Sequence, residues 1–332
     1  MELLDKRYEQ VRLTFDPVPH KYYDNFGNNY LSVTTLIGQY VPKFEKNYWL
    51  KKKSRELGIS EKELAKQWQD ITDEACERGT EKHDGLEKGI KNSSKFKEAI
   101  RYLNYDNANM ITVADIPSMN ADYKLLDIEE FIENTEGKYP KIYEAFEKYT
   151  NAGYKIYAEI GMFLIDYLVS GTIDVLLLRE DGFIIGDWKT NRGGLKFESG
   201  YYKKDKTQKP HQLTNEWVRK DDHMLPPVNN LPECNGSHYT LQTSLYAYAV
   251  ERILNIPCRG IWLCHIDCDF ILNEYGMPRR FDDGTYKVRE NPTEKTTFYV
   301  LPYKRNEARL LLDDRRIEVK AMKVNNQFDL SL

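Results

Sequence analysis

Beyond Ser60 the positions Leu64, Trp68, Ile71, Ala75, Gly79, His83, Leu86 and Ile90 recur every three or four residues, the period of one face of a long helix. Ser60, with Glu63 three residues later, gives that helix a capping box at its start. Upstream, "HKYYDNFGNNYLSV" alternates like two short strands about an "NFGNN" turn, and a helix over 34–40, closed by Pro42, follows. Downstream, "YPKIYEAFEKYTNAG" reads as an amphipathic helix ending near Gly153. The pattern then becomes strand-like in three runs, 154–169, 171–179 and 182–189, whose tight connections make them an antiparallel meander. A helix over "SHYTLQTSLYAYAVERIL", a strand over "RGIWLCHIDCDFIL", a strand near "TTFYVLPY" and a helix over 307–323 complete the order.

Helix, three strands, helix, strand predicts an α/β fold, a central mixed β-sheet flanked by helices. The chain divides into an N-terminal hairpin and helix extension (1–60), a core (61–272) and a C-terminal strand and helix (273–332), all within one domain of 1–332. Two insertions interrupt the core. Residues 91–140 are polar, rich in Tyr and Asn, and carry helical pieces; residues 190–236 read as a turn-rich basic loop, too long to be a mere connection. No Gly-rich phosphate loop of a nucleotide-binding fold is present in the sequence.

With 41% hydrophobic and 30% charged residues, and apolar runs no longer than "VLLL", the sequence offers no membrane span. The charged start "MELLDKRYEQ" lacks the apolar stretch of a signal peptide, and five cysteines suit a reducing compartment, so a cytoplasmic protein is expected. The net charge of -4 excludes a uniformly basic coat but leaves room for local grooves. Two segments, 43–55 and 192–220, combine aromatics such as Tyr48, Trp49, Tyr201, Tyr202 and Trp217 with basic residues that include Lys52, Lys53, Lys203, Lys204 and Lys206. Charge for phosphates beside rings for bases suits a single strand; a solvated charged face is the alternative.

The stretch "GTIDVLLLREDGFIIGDWKTN" places Asp174, Asp187 and Lys189 inside apolar strands. Alternation puts Asp187 and Lys189 on one face and Trp188 on the other, with Asp174 level on the neighbouring run. Buried carboxylates that crowd together need cationic compensation, which Lys189 gives one of them and a hard divalent ion gives both. An oxygen-rich set selects Mg²⁺ or Mn²⁺.

An Asp followed after a turn by Asp-x-Lys resembles the core motif of the PD-(D/E)xK nuclease superfamily. Its RecB-like branch adds a helix with Gly-x3-His, here Gly79 and His83 in "RGTEKHDGLE", and a Glu on the first strand, here Glu159 in "YAEIGMF". It also adds Gly-x-x-Asp, here Gly171 to Asp174, and a helix with Gln-x3-Tyr, here Gln242 and Tyr246. These matches run in the family's order over roughly residues 75 to 270, and the N-terminal segment looks like those of phage-encoded members, which would place the protein in a host cytoplasm. The resemblance implies a restriction-endonuclease-like core and a Mg²⁺- or Mn²⁺-dependent DNA nuclease. His83, Asp174, Asp187, Glu159 and the carbonyl of Trp188 would hold metal, Lys189 would assist the attacking water, and Gln242 with Tyr246 would contact DNA or support the lysine. It further implies an exonuclease on DNA ends or single strands in recombination, repair or replication, leaving 5′-phosphate and 3′-hydroxyl ends, with a single-strand-binding protein or recombinase as partner.

Each residue also has a plainer role: His83 as a core histidine on the buried stripe, Glu159 as an outward strand residue, Gln242 and Tyr246 as packing on the sheet. Cys76, Cys258, Cys264 and Cys268 superficially imitate an iron–sulfur ligand set, but Cys-x2-Cys is missing, so buried structural cysteines are expected and no cluster. Two other functions fit the same residues: a non-catalytic DNA-binding accessory protein, and a structure-specific endonuclease or ribonuclease.

Overall fold

The computed structural model describes residues 2–16, 18–100, 110–119, 126–191, 194–267, 269–282, 285–289 and 295–329. It is an α/β architecture built on a large mixed sheet with helices on both faces. An N-terminal meander of β1 (Leu13–Asp16), β2 (Lys21–Asp24) and β3 (Asn29–Ser32) leads into α1 (Val33–Gly38), capped by the Ser32 hydroxyl. The basic segment 43–55 is largely helical, α2 (Lys46–Leu57), ending at Gly58 in the left-handed conformation that glycine adopts without strain. Next comes α3 (Glu61–Lys91), in which the Ser60 hydroxyl accepts from the Glu63 amide as its capping box requires. The first insertion supplies α4 (Ser94–Ile100) and α5 (Ile128–Asn134), and α6 (Pro140–Asn151) follows. The insertion's residues 101–109 and 120–125 lie outside the described residues.

Three core strands come next: β4 (Lys155–Leu164), β5 (Val169–Arg179) and β6 (Gly182–Lys189), paired antiparallel as a meander. The expected first run of 154–169 stops at Leu164, because the chain turns through 165–168 into β5. The 190–236 segment is not a loop throughout. It carries an antiparallel hairpin, β7 (Gly200–Asp205) with β8 (Gln212–Arg219), which stands apart from the main sheet as an arm. Then follow α7 (Asn235–Leu254), β9 (Cys258–Asp267), β10 (Lys295–Val300) and α8 (Arg305–Asp329). β9 joins β6 in parallel, with α7 as the crossover, and β10 closes the edge antiparallel to β9.

The sheet forks along β5. β4 occupies one edge of that strand throughout, while the other edge pairs with β3 at Val169 and Ser170 and with β6 only from Val175 to Arg179. Between the two partners, Gly171 to Asp174 have no ladder on that edge. The ring of Tyr246 from α7 covers the gap; a Cβ on residue 171 would lie 2.9 Å from it, so only glycine fits there.

Two apolar cores sandwich the sheet. One joins α1, α7 and α8 to Leu176, Ile185 and Leu263; the other joins the end of α3, α5 and α6 to Val175, Leu177, Trp188 and Cys264. In the second, Trp188 lies between Phe146 and Trp262, ring centroids 6.1 and 5.5 Å away. The opposite-face placement of Trp188 follows directly from strand alternation. The cysteines divide differently from expectation. Cys264 is buried and Cys258 half-buried, but Cys76 is exposed because its face of α3 has no neighbouring layer, and Cys268 lies outside the described residues. Among the described residues no helix is long and apolar enough to cross a membrane.

Since Trp188 fills the centre of its cluster, Trp188→Ala should destabilise the fold by about 3–5 kcal/mol. A urea midpoint unchanged from wild type would show that the indole is not the keystone of that core.

Candidate metal centre and its surroundings

Strand pairing brings the acids together. Ala158 and Ile160 pair with Val175 and Ile173, so Glu159 stands opposite Asp174; Val175 pairs with Gly186, so Asp174 and Asp187 meet at the next rung. Three carboxyl groups from three adjacent strands thus share one level of the sheet, at the point where it forks.

The backbone departs from regularity at the same level. Glu159 has a φ of 47°, left-handed and strained for a side chain of its kind. Packing changes phase there: Ile156 and Ala158 belong to the cluster under α3, whereas Ile160, Met162 and Leu164 belong to the other. On β5 the change falls at Asp174, with Ile173 in one cluster and Val175 in the other. A simple alternating strand would send one of these acids into a hydrophobic core.

Each acid has distinct support. Asp187 is fully buried; its Oδ1 is 3.5 Å from the Gln242 amide nitrogen, which also donates to the Tyr246 hydroxyl at 3.1 Å. Its Oδ2 is ion-paired with Lys189 and accepts no well-aligned hydrogen bond among the described residues. Asp174, 8% exposed, accepts the Trp188 amide at 2.9 Å, a side chain standing in for the missing ladder. Its Oδ2 is 3.4 Å from His83 Nδ1. Ligand atoms of His83, Glu159 and Asp174 all lie within 4.8 Å of one another.

Burial and mutual repulsion set the protonation. Glu159 is pushed up to about 9, first by desolvation and then by the charge of Asp174. The same causes, in the same order, raise Asp187 to about 6, although Lys189 opposes them. For Lys189 desolvation is the largest influence and acts downward, but Asp187 and Asp174 outweigh it and hold the ammonium above its usual value. Burial first, then Asp187, pushes the Tyr246 phenol well up, so it stays neutral. The ammonium of Lys189 also lies 4.7 Å from the centroid of the Tyr239 ring.

His83 departs from its expected position. The stripe on α3 is buried at Leu64 and again at Leu86 and Ile90, but Trp68, Ile71, Ala75, Gly79 and His83 between them are only half-buried. The middle of the helix crosses the open end of the sheet rather than its core, and His83 points at Asp174. Gly79 permits that approach: a Cβ there would lie 3.3 Å from Thr190 Oγ1. Glu159 is half-buried and turned to the cluster, not outward.

The structure therefore brings together His83, Glu159, Asp174, Asp187, Lys189, Gln242 and Tyr246. Trp188 contributes its amide to Asp174, and Lys52, Lys53, Lys203, Lys204 and Lys206 belong to α2 and the arm. Sequence reasoning missed Arg78 and Tyr239. Arg78 Nη2 donates to the Thr190 carbonyl at 2.9 Å, tying α3 to the end of β6, and its buried Nη1 has no hydrogen-bond partner among the described residues. Its only signal was its place beside Gly79. Tyr239 stands one turn before Gln242 on α7, a spacing that was available to read.

The donor set fits a hard divalent cation: the carboxylates of Glu159 and Asp174 outnumber the single imidazole of His83. No family model matches the chain, and no curated protein matches it either.

Unfolded, both raised carboxyls titrate near about 4. Their neutral forms favour the fold, a contribution that is full below that pH and is lost as pH rises through about 6 for Asp187 and about 9 for Glu159. In EDTA the melting temperature should therefore fall between pH 5 and 9 (roughly the span of these shifts), less steeply in Glu159→Gln. Millimolar Mg²⁺ or Mn²⁺ should recover most of the loss at the alkaline end. Parallel melting curves for variant and wild type would remove Glu159 from the cluster.

Proposed function

We propose that this protein is a divalent-metal-dependent nuclease of the PD-(D/E)xK superfamily, RecB-like branch, with a restriction-endonuclease-like core, and that it cleaves phosphodiesters of DNA. One observation carries the reading. Two carboxyl groups from neighbouring strands, Glu159 and Asp174, converge with the imidazole of His83 from a preceding helix, and on the next strand a buried Asp187 is ion-paired with Lys189 two residues on. An ordinary surface ion pair needs none of this burial, and a structural core has no use for three acids at one rung.

In this reading His83, Glu159, Asp174 and Asp187 would hold Mg²⁺ or Mn²⁺, with the Trp188 carbonyl as a further ligand. A bound ion supplies a water of lowered pKa and offsets charge on the phosphate. The remaining work belongs to the side chains. Gln242 and Tyr246 fix the orientation of Asp187, and the Trp188 amide fixes Asp174. Glu159, whose pKa burial and Asp174 raise, would have to lose its proton to serve as a ligand, so metal binding would release protons. Lys189, kept charged by its acidic neighbours, orients the attacking water and stabilises the negative charge that grows on the phosphate oxygens. Arg78, with a free donor near Thr190, adds a second cation beside the same strand end.

The products on this reading carry 5′-phosphate and 3′-hydroxyl ends. DNA ends or single strands handled in recombination, repair or replication are the natural substrates, met in the cytoplasm, together with a single-strand-binding or recombinase partner.

Asp187→Asn and Lys189→Ala should each lower Mg²⁺-dependent DNA cleavage by at least about a hundredfold, the scale of losing a positioned charge or proton-transfer group. Circular dichroism should show both variants folded, and EDTA should stop the wild type. Full activity in either folded variant sinks the assignment.

A further inference from the structure

Lys189 is the last residue of its strand. β6 stops there, and from Thr190 onward the chain sets off for the arm. A strand end frays unless its backbone groups find other partners, and here three elements supply side-chain ties. From α3, Arg78 Nη2 donates to the Thr190 carbonyl at 2.9 Å. From β9, His265, which pairs with Lys189 in the ladder, donates through Nε2 to the Asn191 carbonyl at 2.7 Å. From α7, the Tyr239 hydroxyl takes hold of the Asn191 side chain, accepting from Nδ2 at 2.7 Å and donating to Oδ1 at 2.9 Å.

The last tie fixes more than the chain's exit from the sheet. It also holds the Tyr239 ring, and the Lys189 ammonium stands over the face of that ring, 4.7 Å from its centroid. The lysine side chain is 12% exposed, and its head meets one acid, Asp187, and one ring. These two partners act differently. A carboxylate attracts an ammonium and also accepts one of its N–H groups; a ring face attracts the charge without a lone pair to accept one. The ring therefore leaves donors over for a water or a phosphate oxygen, where a second carboxylate would occupy them.

Tyr239 shares its helix face with residues already placed at the site. Gln242 follows three positions later and Tyr246 seven, so one stripe of α7 addresses both charged residues of the Asp-Trp-Lys run, Gln242 at Asp187 and Tyr239 at Lys189. The tyrosine also packs partly against the apolar core beneath α7, which by itself would ask for no hydroxyl. We infer that Tyr239 is a positioning residue for Lys189, held by Asn191 so that its ring face keeps the ammonium beside Asp187 with donors to spare. The holding stands on this geometry; what the lysine does once held rests on the nuclease reading.

Urea unfolding in EDTA tests the holding without any need for activity. Tyr239→Leu should be compared in the wild-type background and in Lys189→Gln, which keeps a donor for Asp187 but no charge, or in Lys189→Met should the glutamine variant not fold. The fall in midpoint caused by Tyr239→Leu should shrink by about half or more once the ammonium is gone. Asn191→Ala and Tyr239→Phe break the same pair of hydrogen bonds, so together they should cost no more than the larger of the two alone. With Mg²⁺ and DNA, Tyr239→Leu should lower kcat about tenfold at little change in KM, and Tyr239→Phe, which keeps the ring, should recover much of that loss. Equal midpoint falls in both backgrounds overturn the inference, since a tyrosine that only packs does not sense the charge, and so does a Tyr239→Phe variant as slow as Tyr239→Leu. Coupling to Lys189 without any Mg²⁺-dependent cleavage would instead sink the nuclease reading and keep the positioning, so the two failures are distinguishable.

Discussion

Carboxyl groups that share a dry pocket raise one another's proton affinity, and the arrangement around Glu159, Asp174 and Asp187 answers that repulsion. Lys189 neutralises one acid, the Trp188 amide solvates a second, and burial with the charge of Asp174 raises the proton affinity of the third. No one of these devices is sufficient. Together they keep charge inside a sheet whose neighbouring positions on these strands are largely buried and apolar.

Such a cluster needs a scaffold that can neither close over it nor relax away from it. The fork in β5 provides the opening, because an unbroken ladder would cover Gly171 to Asp174 with a neighbouring strand. The two hydrophobic cores provide the rigidity. Trp188 is wedged among aromatic rings immediately beside the acids, and Tyr246, packed over the glycine at the mouth of the fork, also orients the Gln242 that holds Asp187. Packing and chemistry meet in the same side chains, and the strained backbone at Glu159 is tolerated because its flanking residues are locked into opposite cores.

Much of this could be read from the chain itself. The meander from β4 to β6, the helix before it and the crossover after it follow from periodicity and turn chemistry, and charges lodged in greasy strands pointed to the acids and the lysine. The fork could not be read, since it depends on Leu31 and Ser32 pairing with Val169 and Ser170, far away in sequence. A left-handed glutamate carries no compositional mark. α2 escaped because only Leu50 and Ser54 of its residues are buried, too few to print a period. The arm escaped because both its faces meet solvent and a register shift near Tyr202 breaks its alternation. The partial exposure of His83 escaped for a related reason: periodicity gives the face of a helix, not how much of that face finds something to cover it.

The base of the arm carries one more implication. Lys196 and the start of α7 are stitched together, the Lys196 amide donating to Asn235 Oδ1 and the Gly236 amide to the Lys196 carbonyl, both at 2.8 Å. Beyond this seam the hairpin leaves the main sheet, and the chain rejoins the core before α7 through the buried Met224, Val228 and Leu231. The hairpin alone, joined to the main sheet by no strand pairing, can therefore vary in length and composition without disturbing the acids. The arm is in that sense an evolvable appendix, and the seam is what makes it separable.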